Sequence, residues 1–231
     1  MPLNSLIELH KFNFTGSEVD TDGFAKTHWN PKVLPNGNLE ETPEGTLELW
    51  APTKGATTPG SKKTRSEFRE VQEGVEDEFN WQIGQFDQFL KVTLLIEKVT
   101  PGGRVCIGQV HVIDNDRPPI KIVVDANTRK LRLMYRTTFN QPTDVGETLL
   151  ANLDLSKAIA YSLHVTPGGT VSVSVSNNGV SATLAKQLDG SWAYRWLYFK
   201  AGIYNQDEAT ADTLEEYGTH AYLTRLLITR T

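Results

Sequence analysis

The chain alternates. In "TVSVSVS" (170–176) every second residue is Val and the residues between are Thr or Ser. A period of two puts the valines on one face and the hydroxyls on the other, the pattern of a half-buried strand. "NNG" (177–179) follows, and "GVSATLAK" (179–186) reads as the returning strand of a hairpin. "KIVVDANTRKLRLMYR" (121–136) reads as a second hairpin, turning near "DAN" (125–127). "GTLELWAP" (45–52) predicts an early strand and "THAYLTRLLITR" (219–230) a closing one. Further turn signals stand at "PNGN" (35–38), "TPGS" (58–61), and "TPGG" (100–103 and 166–169). Helical periodicity is scarce. "SEFREVQEGVEDEF" (66–79) has the charge for a helical turn, interrupted by Gly74, and "DEATADTLEEYG" (207–218) has room for a short helix. Many short strands divided by turns predict an all-β chain, a sandwich of two antiparallel sheets. No composition break or repeat divides it, so residues 1–231 are read as a single domain.

Three segments carry polar groups where a strand facing water has little use for them. As a strand, "TRSEFRE" (64–70) puts Arg65, Glu67 and Arg69 on one face and Ser66, Phe68 and Glu70 on the other. "CIGQVHV" (106–112) puts Ile107, Gln109 and His111 together, opposite Cys106, Gly108, Val110 and Val112. "YFKAGIYNQ" (198–206) puts Phe199, Ala201, Ile203 and Asn205 on an inward face. Tyr198, Lys200, Gly202, Tyr204 and Gln206 fall on its other face. Were these strands neighbours, their polar faces would merge into one patch of cations, amides, phenols and an imidazole. Such a patch suits an anionic, hydroxyl-rich ligand: Arg grips a carboxylate with two hydrogen bonds, and a phenol ring stacks on a sugar face.

Composition narrows the classes. Hydrophobic residues are 39% and charged residues 22%, which fits a globular protein with a proper core. Cys106 is the lone cysteine, so no internal disulfide and no multi-cysteine metal site can form. The net charge of −5 argues against a nucleic-acid binder, though a local basic groove fits on an acidic body. The opening "MPLNSLIELHKFNF" has no apolar core of a signal peptide, and no apolar run has the length of a membrane span.

In order and in wording, "RSEFRE", "QVH" and "YFKAGIYNQ" resemble the three signature blocks of the family 7 polysaccharide lyases, the alginate lyases. Those blocks read roughly R-(S/T)-E-L-R, Q-(I/V)-H and Y-F-K-A-G-x-Y-x-Q. The visible departure is Phe68 in place of Leu, on the face predicted to point inward. The resemblance implies a β-jelly roll whose concave sheet forms the substrate cleft. It implies β-elimination on a 1,4-linked polyuronate, breaking C4–O4 without water and leaving a C4=C5 double bond.

The hard step is removing the C5 proton beside a carboxylate that already carries charge. That carboxylate has to be neutralised as enolate-like charge develops. By their match to the family, Arg65 and Gln109 take this role, and His111 and Tyr204 are the base and acid. Glu67, Arg69, Tyr198, Lys200 and Gln206 are expected to bind substrate, with Glu67 orienting the arginines. In mannuronate the C5 proton and the leaving oxygen are syn, so Tyr204 can serve both; in guluronate they are anti, and His111 would take the proton. Val110 in the middle of "QVH" accompanies activity on mannuronate-containing blocks within the family. The expectation is an endolytic, monomeric, secreted or periplasmic alginate lyase that uses no cofactor and meets neither nucleic acid nor membrane.

Three rivals share parts of the pattern. A polyglucuronate lyase would grip the same carboxylate. A carbohydrate-binding jelly roll would use the same face but needs neither His111 nor Tyr204. A glycoside hydrolase needs paired carboxylates on one strand face, and "SEVDTDG" (17–23) and "EGVEDEF" (73–79) do not supply them. No metal site is expected, since the five histidines lack ligand spacing; "DTDG" (20–23) and "DND" (114–116) read as solvated turns rather than calcium sites. Asn13-Phe14-Thr15 matches a glycosylation sequon, a weak signal.

Overall fold

Two-residue periodicity along most of the chain becomes two stacked sheets. The computed structural model describes residues 4–29, 31, 37–113 and 115–231. The early strands are β1 (Phe12–Val19), β2 (Ala25–His28), β3 (Leu39–Glu41), β4 (Leu47–Pro52) and β5 (Arg65–Glu70). Next come β6 (Gln88–Lys98), β7 (Arg104–Val112), β8 (Ile120–Asp125), β9 (Lys130–Tyr135) and β10 (Val145–Leu150). The last are β11 (Ile159–Val165), β12 (Thr170–Asn177), β13 (Val180–Gln187), β14 (Leu197–Asn205) and β15 (Gly218–Arg230). One sheet has the order β10-β9-β8-β7-β14-β5-β1-β2 and the other β13-β12-β11-β6-β15-β4-β3. The chain crosses repeatedly between them, so segments far apart in sequence become neighbours. The result is a jelly roll.

The predicted hairpins form. Between β12 and β13 the turn is Asn178-Gly179, with φ of 49° and 78°. Positive φ at both central residues suits the right-handed twist of the flanking strands. β8 and β9 make the second hairpin, and β4 and β15 fall where the sequence placed an early and a closing strand. Neither predicted helical turn forms. Residues 66–70 lie in β5, and 71–79 and 207–217 run through turns and an isolated bridge. Segments so short cannot offset the cost of helix nucleation, and β5 gains ladder bonds on both sides instead. The helical pieces among the described residues are two 3-10 turns, Leu9–Lys11 and Gly190–Trp192. Parts of the predicted turns "PNGN" (Pro35, Asn36) and "DND" (Asp114) lie outside the described residues.

The core lies between the sheets. Phe68 meets Phe12 and Phe14 with ring centroids at 6.1 and 5.1 Å, and Trp81 meets Phe199 at 5.2 Å. Each fully buried ring contributes about 1.5–3 kcal/mol. Phe199, Ala201 and Ile203 point inward from β14 as the alternation predicts. Asn205 also points inward, where it bonds Ala51 O and Thr64 Oγ1 and accepts from Thr219 Oγ1. Glu70, on the inward side of β5, is fully buried and accepts from Trp81 Nε1 (3.0 Å), the Phe199 amide (2.9 Å) and Arg230. The sequon falls in β1, where Asn13 is buried.

The predicted faces of one strand need correction. Ile107 does not share a face with Gln109 and His111; it packs in the core with Val105, Val110 and Val112. The register of β7 against β8 shifts between Cys106 and Gly108, so one extra residue is inserted there. A bulge puts two successive residues on one side of the sheet. Gly108 accordingly faces the opposite sheet, where a Cβ would stand 2.5 Å from the Tyr161 hydroxyl that bonds Ile107 O. Strict alternation cannot reveal a bulge, because the sequence records composition and not register.

Gly108→Ala should therefore overpack this contact and lower the unfolding free energy by about 1–3 kcal/mol. Thermal denaturation followed by circular dichroism checks it. An unchanged melting temperature would mean that Gly108 does not face Tyr161.

Candidate active site

The three blocks lie side by side. β14 sits between β7 and β5 near the middle of the eight-stranded sheet. Register then aligns the polar residues across it. Lys200 stands opposite Arg69 on one side and Gln109 on the other, Tyr204 opposite Arg65, and Tyr198 opposite His111. Gly202 stands opposite Glu67 with φ of 133°, and a Cβ there would come within 2.4 Å of Ser66 O. Only glycine allows both the backbone angle and this approach.

These side chains line a cleft of about 560 Å³. Arg65, Arg69, Gln109, His111, Tyr198, Lys200, Tyr204 and Gln206 reach its surface, and Glu67 lies beneath them. The polar face is not an open surface. Arg65, Glu67, Arg69, Gln109 and Tyr198 are all buried, Glu67 to 2% exposure. Groups that reach across from adjacent strands shield one another, so the patch is an ionic network rather than a solvated row.

Glu67 is the hub. Its Oε2 accepts from Lys200 Nζ at 2.7 Å and Arg65 Nη1 at 3.1 Å, and its Oε1 from Gln109 Nε2 at 2.6 Å. Burial pushes the Glu67 pKa up, but Lys200, Arg65 and the hydrogen bonds from Lys200 and Gln109 outweigh it and hold the carboxylate below its usual range. Burial lowers the Lys200 pKa, and Glu67 offsets part of that. Arg69 bonds Glu78 Oε2 and Asn80 Oδ1, both at 2.8 Å. Among the described residues Arg65, Arg69 and Lys200 face only Glu67 and Glu78 as ion-pair partners, so the cluster keeps a positive excess. Arg65 Nε has no acceptor among the described residues.

His111 and Tyr198 form a second unit. Their rings stack at 5.2 Å, and the Tyr198 hydroxyl lies 3.1 Å from His111 Nδ1. Burial, then the charge of Lys200, pushes the His111 pKa down to about 3, so the ring is neutral. Burial pushes Tyr198 up to about 12, which keeps it a phenol. Arg69 covers the Tyr198 ring at 3.8 Å. Arg69 and His111 both pack against this ring. Tyr204 lies under Arg65, 4.1 Å from ring centroid to guanidinium carbon, with its hydroxyl 3.1 Å from Ser61 Oγ. Gln206 turns its amide onto the Tyr204 and Asn205 carbonyls at the rim.

Sequence reasoning missed several lining residues. Ser61 belongs to the turn signal "TPGS" (58–61), which carries no mark of the site. Asn13, Thr15, Thr27 and Trp29 come from the β1–β2 side of the cleft, and Lys63 and Lys121 from its rim. Glu78 and Asn80 sit in the loop after β5, and nothing in "EGVEDEFN" (73–80) marks them as Arg69 partners. Among the described residues no three His, Cys, Asp or Glu side chains gather as a metal site. In "DTDG" the carboxylate of Asp20 caps its own turn, accepting from the Asp22 and Phe24 amides.

The fold and this site have counterparts. The family model described as alginate lyase matches residues 19–229. An alginate lyase from Pseudomonas aeruginosa superposes with a TM-score of 0.85 at 28% identity, over 97% of this chain and 100% of that one. The lyase A1-II′, a member of polysaccharide lyase family 7, gives 0.81 at 22% identity, over 97% and 96% of the two chains. An alginate lyase from Klebsiella pneumoniae gives 0.77 at 20% identity, over 98% and 97%. A search of curated proteins finds no match. A family match over almost the whole length agrees with the signature blocks now seen converging on one cleft, and the chain belongs to the alginate lyases of polysaccharide lyase family 7.

Proposed function

We infer that this polysaccharide lyase cleaves alginate endolytically and prefers mannuronate-containing blocks. The observation that carries the reading is the pairing of a neutral His111 and Tyr204 with a positive cluster built around Glu67. Glu67 takes one N–H from Arg65 and one from Gln109, which orients both groups and leaves each with donors for a uronate carboxylate. Neutralising that carboxylate lowers the barrier to losing the C5 proton. For mannuronate the Tyr204 oxygen, which must be deprotonated for this step, accepts the proton from C5. The C5–H electron pair forms C4=C5, the C4–O4 bond breaks, and the proton passes from Tyr204 to O4. His111 stands across the site as a neutral partner for the sugar.

An endolytic mode is supported by the breadth of the cleft. It is lined from Thr27 on β2 to Lys121 on β8, six adjacent strands. At about 4.8 Å per strand this is roughly 24 Å, room for several sugar units. A1-II′ has been crystallised with the substrate GGMG and with the product GGG, in variants that replace a His and a Tyr, or the Tyr alone. A polymer substrate also favours a secreted or periplasmic enzyme acting as a monomer and a single catalytic unit. Polyglucuronate is the second substrate to test, because the carboxylate grip would be the same.

Val110 is fully buried, so it meets no sugar. Its influence on substrate choice acts through core packing beneath Gln109 and His111.

Tyr204→Phe and His111→Ala should each lower turnover by at least about 10²-fold while the fold is kept. The ultraviolet absorbance of the new double bond measures this, and a Tyr204→Phe enzyme of near-normal rate on every polymer would remove the assignment. Initial rates on purified blocks at equal concentration should rank polymannuronate above polyguluronate. Val110→Ile should change their ratio by less than about tenfold, the effect of a methyl that does not touch substrate. A clear polyguluronate preference would refute the substrate choice and leave the lyase standing. A third expectation concerns pH. Because the His111 pKa lies far below its free value of about 6.5, the neutral ring persists as pH falls. The His111 ring signals in NMR should not titrate between about pH 8 and about pH 5, and a midpoint near 6.5 would contradict the buried setting.

A further inference from the structure

The geometry points to a remote subsite at the β1–β2 end of the cleft. There Trp29, Thr27, Thr15 and Asn13 take a non-reacting uronate unit by its ring face and hydroxyls and leave its carboxylate in water. This subsite rests on the lyase reading and names where the polymer is held away from the bond that breaks. None of the four residues belongs to the signature blocks.

Register lays one row of side chains across the sheet. Asn13 stands opposite Arg69, Arg69 opposite Lys200, Lys200 opposite Gln109, and Gln109 opposite Lys121. β2 is the edge strand, and Phe14 pairs with its last residue, His28, so Trp29 leaves the strand beside Asn13 and extends the row by one. All six residues line the cleft, which makes the row its long axis. β2 lies three strands from β14, roughly 14 Å at about 4.8 Å per strand. A sugar over Trp29 is therefore not the sugar that reacts beside Tyr204.

The chemistry changes along the row. From β5 to β8 it presents Arg69, Lys200 and Lys121, but β1 and β2 line the cleft with Asn13, Thr15 and Thr27 and with no charged side chain. The charges of this edge pair among themselves outside the cleft, Lys26 and His28 lying 3.2 and 3.3 Å from Glu18. A sugar held here is gripped without a cation. Trp29 is 36% exposed, whereas Trp81 and Trp192 are fully buried, and an indole offered to a cleft is a stacking platform for a sugar ring. Thr15 Oγ1 and Thr27 Oγ1 lie 3.1 Å apart; one hydrogen joins them and the other is left for a sugar oxygen. Asn13 is 2% exposed and its Oδ1 has no donor among the described residues. A buried amide oxygen needs a donor, and a sugar hydroxyl supplies one when the amide turns toward the cleft.

Contacts to a remote unit are the same before and during the reaction, so they lower KM and leave kcat alone. Stacking is also indifferent to salt, whereas a grip on a carboxylate is screened by it.

Steady-state kinetics on polymannuronate and on a series of mannuronate oligosaccharides test this. In the wild type KM should fall as the chain lengthens. Trp29→Ala should raise KM on the polymer by about fivefold to thirtyfold, the loss of one aromatic anchor, hold kcat, and leave KM on the shortest cleaved oligosaccharide unchanged. Trp29→Phe should recover most of the loss, and Thr27→Val should cost roughly threefold, the scale of one neutral hydrogen bond. Trp29→Gln answers the same question if the alanine variant does not fold. The ratio of mutant to wild-type KM should stay constant as salt is raised. An unchanged KM, an equal loss at every chain length, a loss in kcat alone, or a ratio that collapses in salt overturns the subsite. Binding is read separately in the Tyr204→Phe protein, whose tryptophan fluorescence should change with polymannuronate and lose that change when Trp29→Phe is added. A wild-type protein that cleaves no uronate polymer would remove the lyase reading. The fluorescence titration would still decide the subsite, and a change that survives Trp29→Phe would overturn it.

Discussion

A carboxylate with almost no exposure survives as a charge only when donors replace the water it has lost, and Glu67 has three. They come from three residues on three adjacent strands: Arg65 on its own strand, Lys200 on β14 and Gln109 on β7. Each of these strands therefore contributes to one charge balance. Removing the carboxylate would leave two buried cations facing each other, a change that costs about 3–5 kcal/mol in comparable buried pairs. The same tie orients the guanidinium and the amide before any substrate arrives. The cost of ordering them is met during folding and does not fall on the reaction.

β5 is held from behind as firmly as from the front. Its inward carboxylate, Glu70, joins the loop indole of Trp81, the Phe199 amide of β14 and Arg230 near the end of the chain. Asn205 does a similar task at the far end of β14, bonding across to Ala51 and Thr219 of the other sheet. A slip of one residue would exchange the two faces of a strand. On β5 that would put Phe68 in the cleft and Arg65 and Arg69 among Phe12 and Phe14. Buried polar groups on both faces thus fix the register on which the site depends.

Two glycines permit the close contacts. Gly108 lets the bulge of β7 approach Tyr161, and Gly202 lets β14 pass beside Ser66 with a backbone angle other residues avoid. The bulge keeps Gln109 and His111 on the concave face while Ile107 joins the core.

The sequence by itself determined the strand pattern, the Asn-Gly hairpin, and the three polar faces that share a cleft. Alternation is a local property, and a strand's faces follow from it wherever the register runs without interruption, as for β5 against β1 and β14. Tertiary structure decided the rest. It inserted the bulge that moved Ile107, because the position of an extra residue depends on the partner strand. It buried Arg65, Arg69 and Tyr198, because depth is set by neighbours on both sides. It brought Ser61 to Tyr204, and Glu78 and Asn80 to Arg69, through loops whose paths no periodicity encodes. The state of His111 belongs to the same class, since its neutrality depends on burial and on a lysine that only folding brings beside the ring.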